Sequence, residues 1–333
     1  MAKTTLISEM LKLHFGSKIV CTDGEDGDLV YVVFDPTTRR MTAIGVKQGR
    51  ILGKTVHLPF DSIENAGSDG VRLRVSLAEV AAGSSGPVEG AQLDGRSSVE
   101  LSGSTNRGTV QLVAVHPESG ELAYIVAHNL RAGQDTLVRS EFVASLANGQ
   151  VKVTIPQATL EVLPPYQPDS VLQREVERAL FAVTALHVDL KGIVLRVLDG
   201  VLYIDGNISS KLRSDMVTDQ ALGVQGLLEI KNRLVADDVL QADLARALGD
   251  DPRTRDLPIG VYPRLGVVRL SGAVHNNGQK AAAEEIVRSF PGVRSVINSL
   301  VVDPRASLLR VMAEPEGGNA EDIVPGKWVR HTG

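Results

Sequence analysis

The second half of the chain carries one sequence pattern twice, and this internal repeat constrains the fold more than any other feature. The pairs that match 68 positions apart are Leu172 with Leu240, Gln173 with Gln241, and Arg178-Ala179-Leu180 with Arg246-Ala247-Leu248. The pairs that match 66 positions apart are Gly206 with Gly272, Gly226 with Gly292, Asn232 with Asn298, Leu234 with Leu300, and Asp237 with Asp303. A long fixed period indicates a small module present in two copies. We therefore predict two related small domains in tandem.

Each copy is predicted to follow the order helix, strand, strand, helix, strand. In the first copy Asp169 and Ser170 supply an N-cap for a helix with one apolar stripe. The turn signal Asp199-Gly200 joins strands over 193–198 and 201–204. The remaining segments of this copy are a helix after Ser209-Ser210 containing Leu212, Met216 and Leu222, and a strand over 227–235. The second copy has the corresponding segments at 239–248, 260–262, 267–274, 279–290 and 293–302.

The glycines shared by the two copies are predicted to be structural. Gly226 and Gly292 stand where a helix must stop and turn, which commonly requires a positive φ. Gly206 and Gly272 interrupt strands, which indicates a bulge or a close backbone approach. The copies are joined only by Asp237-Asp238, and short connections restrict orientation. We therefore expect a fixed pair of domains with one composite surface.

The second copy resembles a known family. Residues 266–274 read GVVRLSGAV and residues 290–298 read FPGVRSVIN. This is similar to the BON domain, whose pattern is nGvvtLsGtV followed by vpGVksVvN. The first copy keeps Gly226 and Asn232 but has Gln225 where the second has Pro291. BON domains occur in envelope, osmotic-stress, pore and channel proteins, so the resemblance implies contact with phospholipid surfaces or assembly with each other.

The first half of the chain contains a second, fainter duplication. An offset of 81 places residues 30–36 (VYVVFDP) over 111–117 (QLVAVHP), and an offset of 80 places 60–63 (FDSI) over 140–143 (SEFV). Short strands separated by Gly, Asp, Asn and Pro turns are typical of a sandwich or barrel. The pattern resembles the PRC-barrel, a small β-barrel, over residues 16–77 and 97–163. PRC-barrel-like domains occur as docking modules in a ribosome-maturation factor and a photosynthetic reaction-centre subunit, so the resemblance implies docking.

Charge and cysteine content argue against several function classes. The net charge of −5 is spread evenly, with 15 Lys and Arg against 18 Asp and Glu before Asp169, and 20 against 22 from there on. Neither half is a basic body, which makes nucleic acid an unlikely ligand and weakens purely electrostatic attachment to anionic lipid. Cys21 is the only cysteine, so the sequence offers no disulfide framework and no Cys-based zinc site.

No motif indicates catalysis, a cofactor or a metal. The segment Gly49–Thr55 ends like a phosphate-binding loop, but three residues separate its glycines where that motif has four. Asp23, Glu25, Asp26 and Asp28 lack the EF-hand ladder, and a solvated turn is the favoured interpretation over a calcium loop. The seven histidines are scattered and show no metal-binding or nucleophile-activating pattern. We expect a protein that is not an enzyme.

The predicted fold is multidomain, with two small PRC-barrel-like β-barrels followed by two α+β (αββαβ) BON-like domains. The predicted limits are 1–80 for barrel 1, 81–96 for a Gly/Ser linker, 97–163 for barrel 2, 164–168 for a Pro-rich hinge, 169–237 and 238–303 for the BON-like domains, and 304–333 for a flexible tail. The linker composition predicts barrels that are not locked together.

In the tail, Lys327, Trp328 and Arg330 form a candidate partner-binding site, because an aromatic flanked by cations can anchor a partner. The alternative is a frayed or back-packed end.

Three functional hypotheses follow from these resemblances. The first is a non-enzymatic scaffold or adaptor that binds protein partners, or itself, through four modules whose weak sites combine by avidity. The second is a peripheral phospholipid-binding stress protein that acts through the BON pair. The third is a ribosome-associated assembly factor that acts through the barrels.

No apolar run has the length of a signal peptide core or a membrane span. A cytoplasmic location is expected, with peripheral attachment to the inner membrane left open.

Overall fold

The computed structural model describes residues 6–49, 53–103, 105 and 107–305. The N-terminal half contains β1 (Leu11–His14), β2 (Lys18–Cys21), β3 (Gly24–Phe34), β4 (Met41–Lys47), β5 (Thr55–Pro59), β6 (Ile63–Gly67), β7 (Gly70–Leu73), α1 (Leu77–Ala81), β8 (Ala91–Asp94), β9 (Ser98–Leu101), β10 (Arg107–Val115), β11 (Leu122–Arg131), β12 (Gln134–Arg139), β13 (Val143–Ala147), β14 (Gln150–Val153) and α2 (Gln157–Val162). The C-terminal half contains α3 (Asp169–Phe181), β15 (Ile193–Leu198), β16 (Val201–Ile208), α4 (Lys211–Leu222), β17 (Glu229–Asn232), β18 (Val235–Ala236), α5 (Asp237–Asp250), β19 (Ile259–Arg264), β20 (Val267–Val274), α6 (Asn277–Arg288), β21 (Ser295–Asn298) and β22 (Val301–Val302).

The chain divides into two compact units. The first unit consists of Met1–Val176, Arg196–Leu202 and Leu222–Lys231. The second unit consists of Glu177–Leu195, Tyr203–Ala221 and Asn232–Gly333. The division therefore runs through the range 169–237, which the repeat in the sequence predicts to be one domain.

Two seven-stranded sheets make up most of the first unit. One has the order β5-β4-β3-β2-β7-β6 with β8 added to β3, and the other has the order β12-β11-β10-β9-β14-β13 with β1 added to β10. Both sheets contribute to a single hydrophobic core, which contains Phe34 and Ile44 from the first sheet and Val113 and Ile125 from the second. The predicted strand-rich architecture of this half is confirmed, and its two repeats share one interior.

The strands β1 and β8 are exchanged between these two sheets. β1 precedes the first repeat but pairs with β10 of the second, with Leu11 opposite Val115. β8 precedes the second repeat but pairs with β3 of the first, with Ala91 opposite Phe34. These pairs occupy equivalent positions of the two repeats, so the exchange is reciprocal.

This exchange changes the interpretation of the range 81–96. The Gly, Ser and Pro content predicts a flexible linker there, yet Ala91 and Leu93 are 3% and 0% exposed on β8. Their alternating side chains enter the shared core, which outweighs the loop-like composition of the neighbouring residues. The prediction that the two N-terminal repeats are loosely linked is therefore wrong.

Two other segments can be compared with their predictions. The acidic segment predicted as a solvated turn is a turn only at Asp23, because β3 begins at Gly24 and contains Glu25, Asp26 and Asp28. Asp28 pairs with Lys18 at 2.6 Å, and Asp23 accepts a hydrogen bond from the amide of Leu77. Part of the segment Gly49–Thr55 lies outside the described residues. Thr55 begins β5, as expected for a segment that resumes extended structure rather than opening a helix.

The two C-terminal repeats contain the same local hydrogen bonds, 66 positions apart. The Asn232 side chain donates to the Ser214 carbonyl at 3.0 Å and accepts from the Leu234 amide at 3.0 Å. The Asn298 side chain donates to the Lys280 carbonyl at 3.0 Å and accepts from the Leu300 amide at 3.3 Å. Each asparagine thus ties a short strand to the preceding helix. These equivalent hydrogen bonds have the 66-residue spacing of the sequence repeat.

Two details of the first C-terminal repeat differ from expectation. Asp169 is predicted as an N-cap, but its carboxylate accepts hydrogen bonds from the amides of Asp199 and Gly200 at 2.7 and 2.8 Å. It therefore holds the β15–β16 turn, where both residues have positive φ. The helix predicted from Leu212 and Leu222 exists as α4, but those leucines are 72% and 68% exposed. Its buried residues are Ser214, Val217 and Ala221.

The glycine predictions are confirmed. Gly226 and Gly292 have φ values of +99° and +87°. At Gly206 an added Cβ atom would overlap the Gly192 carbonyl, and at Gly272 it would overlap the Pro258 carbonyl. These two glycines allow neighbouring backbone segments to approach closely.

A candidate interaction surface on the last sheet

The sheet of the second C-terminal repeat buries one face and leaves the other open. The order is β19-β20-β21, with β22 paired to β20. Along β20 the residues Val268, Leu270 and Val274 belong to a core that also contains Leu244 of α5 and Val287 of α6. Because side chains alternate along a strand, Val267 and Arg269 lie on the opposite face. Among the described residues, the helices therefore cover one side of this sheet and none covers the other.

The strand register determines which residues lie together on the uncovered side. Tyr262 lies opposite Arg269, and Arg269 lies beside Ile297, which makes one row across three strands. Arg264 lies opposite Val267 in the next row. Val301 lies beside Ala273 on β20. We call this surface the open face, and it consists of Tyr262, Arg264, Val267, Arg269, Ile297 and Val301.

The open face is apolar as well as basic. Ile297 is 47% exposed, Val301 63% and Val267 36%. Exposed aliphatic side chains that lie together on a sheet mark a binding surface more often than isolated ones do. Tyr262 folds back along its strand over Gly260, where a Cβ atom would lie 2.6 Å from the tyrosine hydroxyl. Gly260 therefore leaves room for this ring position.

The two arginines of the open face are not neutralised locally. Within the described part of the second repeat, ion pairs involve Arg246, Arg253 and Arg288. Neither Arg264 nor Arg269 takes part in them. Their guanidinium groups are therefore available to an external anion, and the planar fork of an arginine matches the geometry of phosphate or carboxylate oxygens.

The first repeat is different at the equivalent position. Tyr203 stands where the second repeat has Arg269, and the guanidinium of Arg233 lies 5.3 Å from the centre of its ring. Arg233 also lies 2.7 Å from Asp205, and the hydrogen bond to this carboxylate, together with its charge, raises the pKa of Arg233. The first repeat thus has a tyrosine with an ion-paired arginine beside it where the second repeat has the unpaired Arg269.

The two repeats contact each other within the second unit. The Asn207 side chain donates to the Gly292 carbonyl at 2.8 Å, and the Asp238 carboxylate accepts from the Lys211 amide at 3.0 Å. Asn207 is 3% exposed. Contacts of this kind fix the open face relative to the neighbouring residues of the first repeat, as the short Asp237-Asp238 connection predicts.

The predicted partner-binding residues Lys327, Trp328 and Arg330 lie outside the described residues. The open face is the candidate interaction surface within the described residues. Its signal in the sequence is the alternation Val267, Val268, Arg269, Leu270 on one strand, which separates a buried from an exposed set. The sequence repeat alone does not bring Tyr262 and Ile297 beside Arg269, because this requires the register of three strands.

Three histidine side chains bond to an aspartate or a tyrosine. His14 Nε2 lies 2.6 Å from Asp199, His128 Nδ1 lies 2.6 Å from Asp135, and His57 Nδ1 lies 2.6 Å from the Tyr31 hydroxyl. These are the side-chain partners of the three histidines within the described part of the chain.

Among the described residues, no helix combines the length and apolar character needed to cross a bilayer.

The last sheet and its helices match a known protein family. Residues 236–304 match the BON domain family. The open face therefore belongs to a BON domain, and the resemblance drawn from residues 266–274 and 290–298 is confirmed for the second repeat.

One curated relative and two solved structures are similar to parts of the chain. Osmotically-inducible protein Y of Escherichia coli (strain K12) is 25% identical over 148 residues, covering 40% of this chain and 73% of that protein. The C-terminal domain of CdsD, a structural protein of the type III secretion system of Chlamydia trachomatis, aligns over 41% of this chain and 68% of its own length with a TM-score of 0.35 and 19% identity. A second CdsD structure has a TM-score of 0.33 and 13% identity, covering 40% of this chain and 61% of its own.

Proposed function

We propose that this chain is a non-enzymatic scaffold protein that attaches to an anionic phospholipid surface through the open face of its BON domain. The observation that carries the proposal is the placement of unpaired Arg264 and Arg269 beside the exposed side chains of Val267 and Ile297. Arginine donates to phosphate oxygens, and short aliphatic side chains enter the boundary between headgroups and acyl chains. A flat sheet face can offer both interactions at once.

Further support for this proposal comes from the relative. Protein Y is named for osmotic induction, and we propose a role for this chain under osmotic stress. The aligned length of 148 residues is about twice the length of the range 236–304. This length and the equivalent hydrogen bonds of Asn232 and Asn298 support a second BON-like domain over 169–237. The proposed location is the cytoplasmic face of the inner membrane.

The two N-terminal sheets are proposed to form a PRC-barrel-like pair that holds a protein partner or a second copy of the chain. Their reciprocal strand exchange supports a rigid docking body, because both repeats share one core. In this arrangement the BON domain supplies attachment to the membrane and the N-terminal sheets supply the scaffold. The domain limits 1–80, 97–163, 169–237 and 238–303 enter the proposal, except that β1 belongs to the second sheet and β8 to the first.

Vesicle co-sedimentation of the full chain tests the proposal. We expect binding to vesicles of phosphatidylcholine with phosphatidylglycerol at low salt, and weaker binding to phosphatidylcholine alone. Each basic side chain near an anionic surface contributes about 1 kcal/mol. The double variant R264E/R269E is therefore expected to bind at least tenfold more weakly.

The matched control is R246E, which reverses one exposed charge on α5 where Arg246 pairs with Asp243 of its own helix. Its binding should stay within about twofold of that of the unmodified protein. Absence of binding to either vesicle at low salt would overturn the proposal. So would equal losses for the double variant and for R246E combined with R288E, a second control that reverses two charges away from the open face.

A further inference from the structure

The open face carries two positive charges and no negative one. Arg264 and Arg269 are exposed, and the strands β19 to β22 contain no Asp or Glu. The ion pairs within the described part of the second repeat leave both arginines out. Charges that are taken out of water require partners, so a ligand that covers this face supplies anionic oxygens as well as apolar groups.

The sheet of the first repeat contains such an acid itself. Asp205 of β16 lies 2.7 Å from the guanidinium of Arg233. The position 66 residues after Asp205 is Ser271, so β20 has a hydroxyl where β16 has a carboxylate. A carboxylate on the open face therefore comes from outside the sheet.

The chain that follows the sheet leaves it beside the open face. Val301 of β22 belongs to the open face, and β22 ends at Val302. A turn follows at Pro304 and Arg305, where the Arg305 amide donates to the Asp303 carboxylate at 2.9 Å. The residues after Arg305 are therefore tethered next to the open face.

The tethered sequence has the two properties that this face requires of a ligand. An apolar stretch comes first and contains Leu308, Leu309, Val311 and Met312. Residues 314–322 follow, and we call them the acidic segment. They contain four carboxylates and no Lys or Arg, the acids being Glu314, Glu316, Glu321 and Asp322. The charge of the acidic segment is thus opposite to that of the open face.

The order of these two stretches matches the order of side chains on the open face. Val301 lies beside Ala273 of β20. Arg269 stands four residues before Ala273, about 13 Å away at the spacing of a strand. Arg264 lies further along, next to the β19–β20 turn. A chain that returns over the sheet from β22 therefore meets an aliphatic side chain first and the arginines afterwards.

The chain between Arg305 and the acidic segment is long enough for this return. Arg305 follows Val301 by four residues, so the two lie at most about 14 Å apart, and the path on to Arg269 brings the total to about 28 Å. Glu314 follows Arg305 by nine residues, which extend to about 30 Å. The later acids of the segment reach further, as far as the row that contains Arg264.

We propose that the acidic segment of the same chain lies on the open face, where its carboxylates bind Arg264 and Arg269 and the apolar stretch before it covers Val301 and Ile297. The contact itself needs no lipid. Its consequence, which rests on the proposed function, is that the acidic segment competes with phospholipid phosphates for the same two guanidinium groups. Attachment to a membrane therefore requires displacement of the segment, and the chain regulates its own attachment.

Paramagnetic relaxation in NMR spectra of the full chain tests the contact. N319C places a nitroxide label within the acidic segment and keeps its four carboxylates. The native Cys21 is 6% exposed and is expected to stay unlabelled. We expect the label to remove most of the intensity of the Val267 and Ile297 amide signals. Adding R264E/R269E should restore these signals, whereas adding the control R246E should not.

A mixed sample identifies the chain to which the segment belongs. Isotope-labelled chain without the nitroxide is combined with an equal amount of unlabelled chain that carries it. Full intensity of the Val267 and Ile297 signals is expected here, because the contact lies within one chain. Loss of intensity in the mixture would assign the open face to the tail of a second copy and would overturn the proposal.

Vesicle co-sedimentation tests the competition. The variant E314Q/E316Q/E321Q/D322N should bind vesicles with phosphatidylglycerol about fivefold more tightly than the unmodified chain, the effect of one arginine made available to the surface. The control D215N/D219N/D250N/D256N neutralises the same number of acids, all of them exposed and distant in sequence from the tail. Its binding should stay within about twofold of that of the unmodified chain.

The outcomes separate this proposal from the proposed function. Loss of the Val267 and Ile297 signals without binding of any variant to vesicles would support the contact and overturn attachment to phospholipid. Vesicle binding with both signals at full intensity would overturn the contact. Equal vesicle affinities of the unmodified chain and the E314Q/E316Q/E321Q/D322N variant would overturn the competition.

Discussion

Arg40 and Glu121 lie opposite each other in an antiparallel bridge, with guanidinium Nη2 2.7 Å from Oε1, and they occupy equivalent positions of the two N-terminal repeats. On either side of the bridge, the Met41 amide donates to the Gly120 carbonyl at 2.8 Å and the Leu122 amide to the Arg39 carbonyl at 3.0 Å. The same contact therefore occurs in both directions, as in an isologous dimer interface. With the exchanged β1 and β8, the first half resembles a dimer fused into one chain.

The first prediction follows from this exchange. Fragments 1–80 and 81–163 should each fail to fold alone, because each lacks the strand that completes its sheet and exposes half of the shared core. Circular dichroism and one-dimensional NMR of the separate fragments should show little cooperative structure. An equimolar mixture should recover it, as fragment 1–163 should by itself. A folded monomeric fragment 1–80 would contradict the reciprocal exchange.

A second prediction separates the ion pair from the packing at this interface. R40A should lower the free energy of unfolding by less than about 1 kcal/mol, because both partners are more than half exposed and water screens the pair. L93A should cost about 2–5 kcal/mol, because Leu93 of β8 is fully buried. Denaturant unfolding of both variants measures the difference. Equal costs would mean that β8 does not enter the core.

The third prediction concerns the glycines that permit close backbone approach. G206A and G272A should each destabilise their repeats by about 2 kcal/mol or more, because the added methyl group overlaps a carbonyl and the φ values are +113° and +109°. Gly249 near the end of α5 is a matched control, since a Cβ atom there meets open space. G249A should stabilise the protein by about 0.5–1 kcal/mol. Thermal unfolding of the three variants provides the comparison.

Much of the C-terminal architecture could be predicted from the sequence because local signals agree with the packing there. The Asp199-Gly200 turn and the glycines with positive φ fix element boundaries over a few residues. The strand exchange could not be predicted, because β1 and β8 are short strands that pair with equivalent positions of the two repeats. Only the three-dimensional path of the chain decides which sheet each strand joins.

The buried Lys12 and the residues of the open face were harder to predict than the fold. Lysine side chains are usually exposed to solvent, yet Lys12 on β1 is buried. The open face depends on the alignment of Tyr262, Arg269 and Ile297 across three strands. Neither Lys12 nor Arg269 is among the residues that the sequence repeats share.

A fourth prediction addresses the shared asparagines. Asn298 Nδ2 donates to the Lys280 carbonyl and to the Glu284 carboxylate, both at 3.0 Å. N298A should cost about 1–3 kcal/mol, because it leaves polar partners unpaired. N298D should cost more, because a carboxylate cannot donate and would repel Glu284. Denaturant unfolding ranks the two variants, and an N298D variant as stable as N298A would exclude this role for the amide.

The last prediction concerns the pH dependence of stability. Burial lowers the pKa of Lys12 below its usual value near 10.5, despite the attraction of Asp199, Asp169 and Glu229. Between the lowered folded pKa and the unfolded pKa, the unfolded chain binds more protons than the folded chain. The free energy of unfolding therefore increases with pH across that window. The raised pKa of Tyr124 acts in the opposite direction above about pH 10, where only the unfolded chain loses the phenol proton.

K12M should remove the alkaline increase in stability that Lys12 causes. It should also raise the free energy of unfolding at pH 7 by an amount on the order of 1 kcal/mol, because it replaces a buried charge with an apolar side chain of similar length. The nearby carboxylates of Asp199 and Glu229 keep their other hydrogen bonds. Denaturant unfolding at several pH values from 7 to 10 gives both quantities. The control K152M changes an exposed lysine of β14 and should keep the slope of the unmodified protein. An unchanged slope in K12M would show that Lys12 titrates alike in the folded and unfolded chains.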